Sequence, residues 1–162
     1  MRRPIAAALG GIALAAAGAA SAQTCETLAR LDTFGALAFG VRLEALPEGF
    51  EVVDQCGAGV SEAECVIADG QGVTYSLYDG FVLSKYVEVG AAPLPWDFPE
   101  TADRGRAARV LSAVTGQRAA GVMSSDNQVH VRSQFACGGA WGQAFARYSG
   151  NRLVSVGLEA AL

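Results

Sequence analysis

Two stretches of this chain share one plan, and they limit its fold to antiparallel sheet. Thr74–Val89 (TYSLYDGFVLSKYVEV) and Ala144–Glu159 (AFARYSGNRLVSVGLE) each run as a strand, a turn and a second strand. At a shift of 70 residues, Tyr78 meets Tyr148, Gly80 meets Gly150 and Leu83 meets Leu153. Asp79-Gly80 suits a two-residue turn, because backbone with positive φ matches the twist of the flanking strands. Ser149-Gly150 takes the same place in the second segment.

The surrounding sequence extends the parallel. An apolar stretch opens each half, Phe34–Gly40 or Ala91–Phe98, and a helical segment is expected next, Val41–Val53 or Thr101–Val114. In the second half Thr101 is placed to cap the helix, Ala107, Ala108, Val110, Leu111 and Val114 give it an apolar face, and Gly116 is placed to end it. Pro47 and Gly49 interrupt the first-half helix. Further strands are expected at Cys65–Ala68, Ala120–Ser124, Gln128–Phe135 and Trp141–Tyr148. The fold class read from this pattern is α+β, with two tandem helix-plus-antiparallel-sheet units stapled by disulfides. The first unit spans residues 23–90 and the second 100–162. Residues 91–99, rich in proline, read as a linker.

Residues 1–22 have the form of a secretory signal peptide. Arg2 and Arg3 precede an apolar run from Ile5 to Ala17, and Ala20-Ser21-Ala22 supplies small residues at the cleavage point. The run is too short and too rich in Ala and Gly for a membrane span. No span is expected after cleavage, and the location read from the sequence is periplasmic or secreted. Gln23-Thr24 before Cys25 does not fit a lipoprotein box, so Cys25 reads as an ordinary thiol.

In an oxidising compartment Cys25, Cys56, Cys65 and Cys137 predict two disulfides. Cys56–Cys65 closes a short loop through Gly57-Ala58-Gly59, which leaves Cys25–Cys137. Loop closure makes the short bridge worth ~3 kcal/mol and the long one ~4–5 kcal/mol. Intervening lengths of 30, 8 and 71 residues contain no C-x-x-C pair, so zinc is not expected.

The formal net charge is −4, and it falls to −6 once Arg2 and Arg3 leave with the leader. That balance, with no strong Lys/Arg cluster, argues against a nucleic-acid partner. No phosphate loop, dinucleotide fingerprint or calcium loop occurs, and no cofactor is expected.

Counting outward from the two turns assigns faces to the side chains. In the first hairpin Val73, Tyr75, Leu77, Val82 and Tyr86 point inward. Thr74, Ser76, Tyr78, Phe81, Leu83, Lys85 and Val87 point outward, a face more apolar than a solvated sheet needs. It reads either as the joint between the halves or as a binding surface, with Tyr78, Phe81, Leu83 and Lys85 as its candidate residues. In the second hairpin the bulky set Trp141, Gln143, Phe145, Val154, Val156 and Leu158 is expected under the helix, and Gly142, Ala144, Ala146, Leu153, Ser155 and Gly157 face away. His130 and Arg132 are expected on the solvated face of their strand and are further candidate binding residues.

The motifs Tyr75–Leu83 and Phe145–Val156 give the chain a resemblance to the β-lactamase-inhibitor-protein-like fold, of which the outer-membrane small lipoprotein A domain has one unit. The resemblance implies a non-catalytic module that binds a protein partner, as an inhibitor or an envelope scaffold. It names no contact residues. The alternative is a small extracytoplasmic hydrolase using His130, the only histidine, with Ser124, Ser125 and Asp126 nearby in sequence. No Gly-x-Ser-x-Gly elbow accompanies it. A third reading is a passive stress or surface protein with no dedicated site. Mass mapping of the unreduced mature protein is expected to find Cys56 joined to Cys65; a peptide linking Cys25 to either of them contradicts the pairing.

Overall fold

Strand-forming alternation, interrupted by turn residues, recurs from Phe50 to the end of the chain, and the chain folds accordingly. The computed structural model describes residues 26–160, apart from 55, 58, 62–63, 124–127 and 138–139, with Met123, Cys137 and Ala140 described by their backbone alone. A short helix, α1, covers residues 26–31. The strands are β1 (Phe50–Asp54), β2 (Glu64–Asp69), β3 (Val73–Tyr78), β4 (Phe81–Glu88), β5 (Ala120–Met123), β6 (Gln128–Cys137), β7 (Ala140–Ser149) and β8 (Arg152–Ala160). A 3-10 turn at Pro95–Asp97 and helix α2 (Arg104–Thr115) lie between β4 and β5. All eight strands form one antiparallel sheet in the order β1-β2-β3-β4-β8-β7-β6-β5. The fold is mostly β, and the α+β expectation holds only in that a few helical turns cover one face.

Each group of four strands is a meander, and the two meet edge to edge where β4 pairs with β8. The joint between the halves is therefore this pair of strands and not the outer face of the first hairpin. The pairing runs Ser84↔Glu159, Lys85↔Leu158, Tyr86↔Gly157, Val87↔Val156 and Glu88↔Ser155. Gly157 permits it, because a Cβ there would lie 2.2 Å from the Lys85 carbonyl oxygen and within 2.7 Å of Tyr86 Cα and Cβ.

The two hairpins share their irregularities. In the first, Tyr78 pairs with Phe81, Leu77 with Val82, and Leu83 is an extra residue before Ser84 pairs with Ser76. In the second, Ser149 pairs with Arg152, Tyr148 with Leu153, and Val154 is extra before Ser155 pairs with Arg147. The structural offset is thus 71 residues, not 70, and Gly150-Asn151 is the turn in place of the expected Ser149-Gly150. Gly150 carries the positive φ (60°) there, whereas Asp79 and Gly80 both do (49° and 79°) in the first turn.

These bulges overturn part of the face assignment, since one extra residue reverses every side chain beyond it. Past Leu83, Lys85 and Val87 turn to the covered face and Tyr86 to the open one. Past Val154, Val156 and Leu158 join Ala144 and Ala146. The small side of β7 lies under α2, because Gly142, Ala144 and Ala146 leave room for a helix; the side carrying Trp141, Gln143 and Phe145 faces away. At Gly142 a Cβ would collide with the Phe135 ring.

No helix forms over Val41–Val53. Gly40 and Gly49 hold positive φ, Pro47 lies between them, and the β-branched Val52 and Val53 enter β1 instead. α2 starts at Asp103, whose carboxylate accepts from Arg106 N at 2.7 Å, not at Thr101, and stops at left-handed Gly116 as expected. The proline-rich stretch is packed rather than free: Leu94 and Phe98 are buried, and Trp96 donates its indole N–H to the Leu31 carbonyl at 2.9 Å. Cys56 and Cys65 are bonded, with sulfurs 2.01 Å apart. Cys25, and with it the expected Cys25–Cys137 bridge, lies outside the described residues.

Polar groups pin the covering segments to the sheet. Lys85, 1% exposed, reaches Asp32 at 2.5 Å and donates to the Leu37 carbonyl at 2.9 Å, with the Phe34 ring 4.6 Å away. The Tyr75 hydroxyl donates to Asp69 at 2.7 Å and accepts from Ala36 N at 2.8 Å. Burial alone would raise the Asp69 pKa; hydrogen bonds from Tyr75 and from the backbone of Val73, Gln71 and Ala36 outweigh it and hold the group below its ordinary value. On the other half, Thr115 and Ser133 share a 2.6 Å hydrogen bond and Tyr148 donates to the Ala102 carbonyl at 2.8 Å. Lys85→Met is expected to cost about 3 kcal/mol by leaving the part-buried Asp32 carboxylate, its Oδ1 out of water, without its cation. Arg42→Ala, which breaks an exposed pair with Glu44, is expected to cost under about 0.5 kcal/mol. Urea unfolding midpoints compare the two; equal midpoints would remove Lys85 from this role.

Candidate functional site

The face of the sheet turned away from α2 carries no helix among the described residues. Cross-strand pairing places its side chains in rows. One row runs Ala120, Arg132, Phe145, Gly157, Tyr86, Thr74, Ala68, Glu51 across all eight strands. Strand spacing makes that row roughly 34 Å long. A flanking row contains Val122, His130, Arg147, Ser155 and Glu88.

Phe145 is completely buried here although no other layer covers it among the described residues. Its own neighbours do so. The His130 ring stacks on it with centroids 6.3 Å apart, and the Arg147 guanidinium lies 5.5 Å from both the Phe145 and the Tyr86 rings. Arg132 donates to His130 Nδ1 at 2.8 Å and has its Nε 3.4 Å from Glu159, which also accepts from Gln143 at 2.7 Å. Arg147 Nε and Ser155 Oγ are buried without a hydrogen-bond partner among the described residues.

Burial first, and then the charges of Arg132 and Arg147, push the His130 pKa below its ordinary value, so the ring is neutral at neutral pH. The Arg132 donation fixes Nδ1 as the acceptor and leaves the proton on Nε2. Burial also raises the Tyr86 phenol. Two guanidiniums beside one carboxylate make this end of the face cationic. At the other end, Glu64, Val66, Ser76, Tyr78 and Leu83 line an apolar hollow of about 380 Å³.

The structure therefore brings Tyr78 and Leu83 together at one end of the open face, and His130 and Arg132 at the other. Tyr78 is 49% exposed and Phe81, under the Arg42 guanidinium at 5.6 Å, is also exposed. Lys85 is removed from the surface set, because the Leu83 bulge turns it into the core. His130 lies on the expected face but is 8% exposed rather than solvated. Its hydrogen-bond partner among the described residues is Arg132; Ser124, Ser125 and Asp126 lie outside them. Among the described residues no group of acids, Cys and His is arranged to hold a metal.

Sequence reasoning missed Trp141, Phe145, Arg147 and Tyr86 as residues of this face. For β7 the signal was present: Gly142, Ala144 and Ala146 alternate as small residues, which is what a strand offers to a closely packed helix. Trp141 is 59% exposed and forms one wall of a groove of about 590 Å³ beside β5. No family model, no curated protein and no solved structure matches this chain.

Because the folded pKa of His130 is lowered, its contribution to stability is whole above the unfolded value near 6.5 and is lost as pH falls through that value toward the folded one. Its ring protons, followed by NMR, are expected to titrate with a midpoint below 6.5, and His130→Gln to flatten stability over that pH range; a midpoint at or above 6.5 contradicts the neutral ring.

Proposed function

We propose that the protein is an exported, non-catalytic protein-binding module, an inhibitor or envelope scaffold, whose open sheet face is its contact surface. The observation that carries this reading is the pairing of exposed aromatic residues with arginines on one uncovered face. Tyr78 on β3 and Trp141 on β7 are exposed on that face, and Arg147 on β7 and Arg132 on the neighbouring β6 stand on the Trp141 side of it. Tyr, Trp and Arg are the residue types that concentrate binding energy at protein interfaces.

Export is supported by the leader-like first 22 residues and by the Cys56–Cys65 bridge, a bond that persists in oxidising compartments. The two tandem units are supported by the matched bulges at Leu83 and Val154 and by the twofold register of β4 against β8, in which Tyr86 faces the residue 71 positions on. The resemblance to the β-lactamase-inhibitor-protein-like fold implies the same kind of module. No second reading is favoured by a specific contact.

Immobilised mature protein is expected to retain a stoichiometric partner from envelope extract. Trp141→Ala and Tyr78→Ala are each expected to weaken that partner by about 2 kcal/mol, roughly thirtyfold. Undiminished capture by both variants, at unchanged melting temperature, would remove the open face as the contact surface.

A further inference from the structure

The two edges of the sheet differ in how well they are guarded. β1 carries Glu51 and Asp54, and charged side chains on an edge discourage pairing with another chain. β5 begins Ala120-Gly121-Val122, with no charge and no proline, and among the described residues its backbone pairs with β6 alone. Its outer N–H and C=O groups are therefore unpaired among those residues.

The groove beside β5 has a distinct chemistry. Ala120 and Val122 line it on the edge strand, Trp141 walls it, and Arg118 and Arg132 line it with glutamines; the one carboxylate beside them, Glu159, is held by Arg132 and Gln143. The chain as a whole has sixteen acidic residues against twelve basic ones, so this local surplus of positive charge runs against the overall balance.

The geometry points to β5 and its groove as the docking site of an extended, acidic segment of the protein partner, added as a further strand along β5. The inference rests on the reading of the open face as a protein contact and names the chemistry of what lands there. Main-chain hydrogen bonds to β5 give affinity that does not depend on sequence, and alternate side chains of the added strand project over the groove. Carboxylates on that side meet Arg118 and Arg132, and an apolar or aromatic side chain meets the Trp141 ring. The unguarded edge favours a peptide over an anionic sugar, which has no row of amides to pair with it.

Calorimetric titration of the mature protein tests this with four probes: a peptide of alternating glutamate and valine, its lysine-for-glutamate counterpart, the acidic peptide N-methylated along one edge, and polygalacturonate. The acidic peptide is expected to bind roughly tenfold more tightly than the lysine peptide, as an exposed ion pair at Arg118 and a part-buried one at Arg132 allow. N-methylation is expected to abolish binding, and polygalacturonate to bind no more than weakly. Arg118→Glu, at an exposed position, is expected to weaken the acidic peptide about tenfold with no change in melting temperature. No binding, equal binding of the lysine peptide, indifference to N-methylation, or polygalacturonate binding as tightly as the peptide each overturns the inference. If a partner is captured through Tyr78 and Trp141 but the acidic peptide does not displace it, the docking mode is wrong and the open face remains the contact surface. If neither substitution affects capture, the open-face reading itself falls.

Discussion

The pairing of β4 with β8 is the constraint on which the rest of this molecule depends. Each meander of four strands is a small sheet with two edges, and the pairing covers one edge of each. Joined edge to edge, the two become one surface with a single covered face and a single open one. The join is tight because Gly157 has no side chain where Lys85 and Tyr86 come closest. It is also nearly self-symmetric: Ser84 faces Glu159, and Glu88 faces Ser155, about a centre at Tyr86 and Gly157. Glycine on one side of that centre is what accommodates tyrosine on the other.

The same seam explains a lysine in the interior. Lys85 stands on the covered face beside the join, where Leu158 is its partner on β8 and Tyr75 its partner on β3. An ammonium there is costly to desolvate, and the cost is offset by Asp32 and the Leu37 carbonyl, both from the segment that follows α1. That segment therefore has a specific place to lie. Tyr75, holding Ala36 and Asp69 together, fixes it at a second point.

Much of the strand content, the turn at Asp79-Gly80, the helix ended by Gly116 and the Cys56–Cys65 bridge were legible in the residues themselves. Each has a local cause: alternation, a positive φ, a short loop. What was not legible is the pair of bulges. Leu83 and Val154 sit in unbroken apolar runs, Phe81–Leu83 and Leu153–Val154, and no local feature marks one member of such a run as unpaired. Missing the first reversed the faces of Lys85, Tyr86 and Val87; missing the second put Val156 and Leu158, rightly expected under the helix, on the same side as Trp141 and Phe145. The candidate site was read in part for that reason. Tyr78 and Leu83, near the first turn, were placed correctly, and so were His130 and Arg132, on a strand without a bulge. Trp141 and Phe145 were assigned to the core on their size, when the small residues alternating with them were the better guide. The helix Val41–Val53 failed on turn chemistry already visible in Pro47 and Gly49.

Matched backbones need not carry matched chemistry. In the pairing order, Val66 occupies the place in the first meander that His130 occupies in the second, Ala68 that of Arg132, Ser76 that of Arg147 and Thr74 that of Phe145. A surface made by two identical chains would repeat itself and suit only a partner with its own dyad. With both meanders on a single polypeptide, one end is shallow and oily while the other is basic and ring-lined. Such a surface has a direction, which one built from two identical chains would lack.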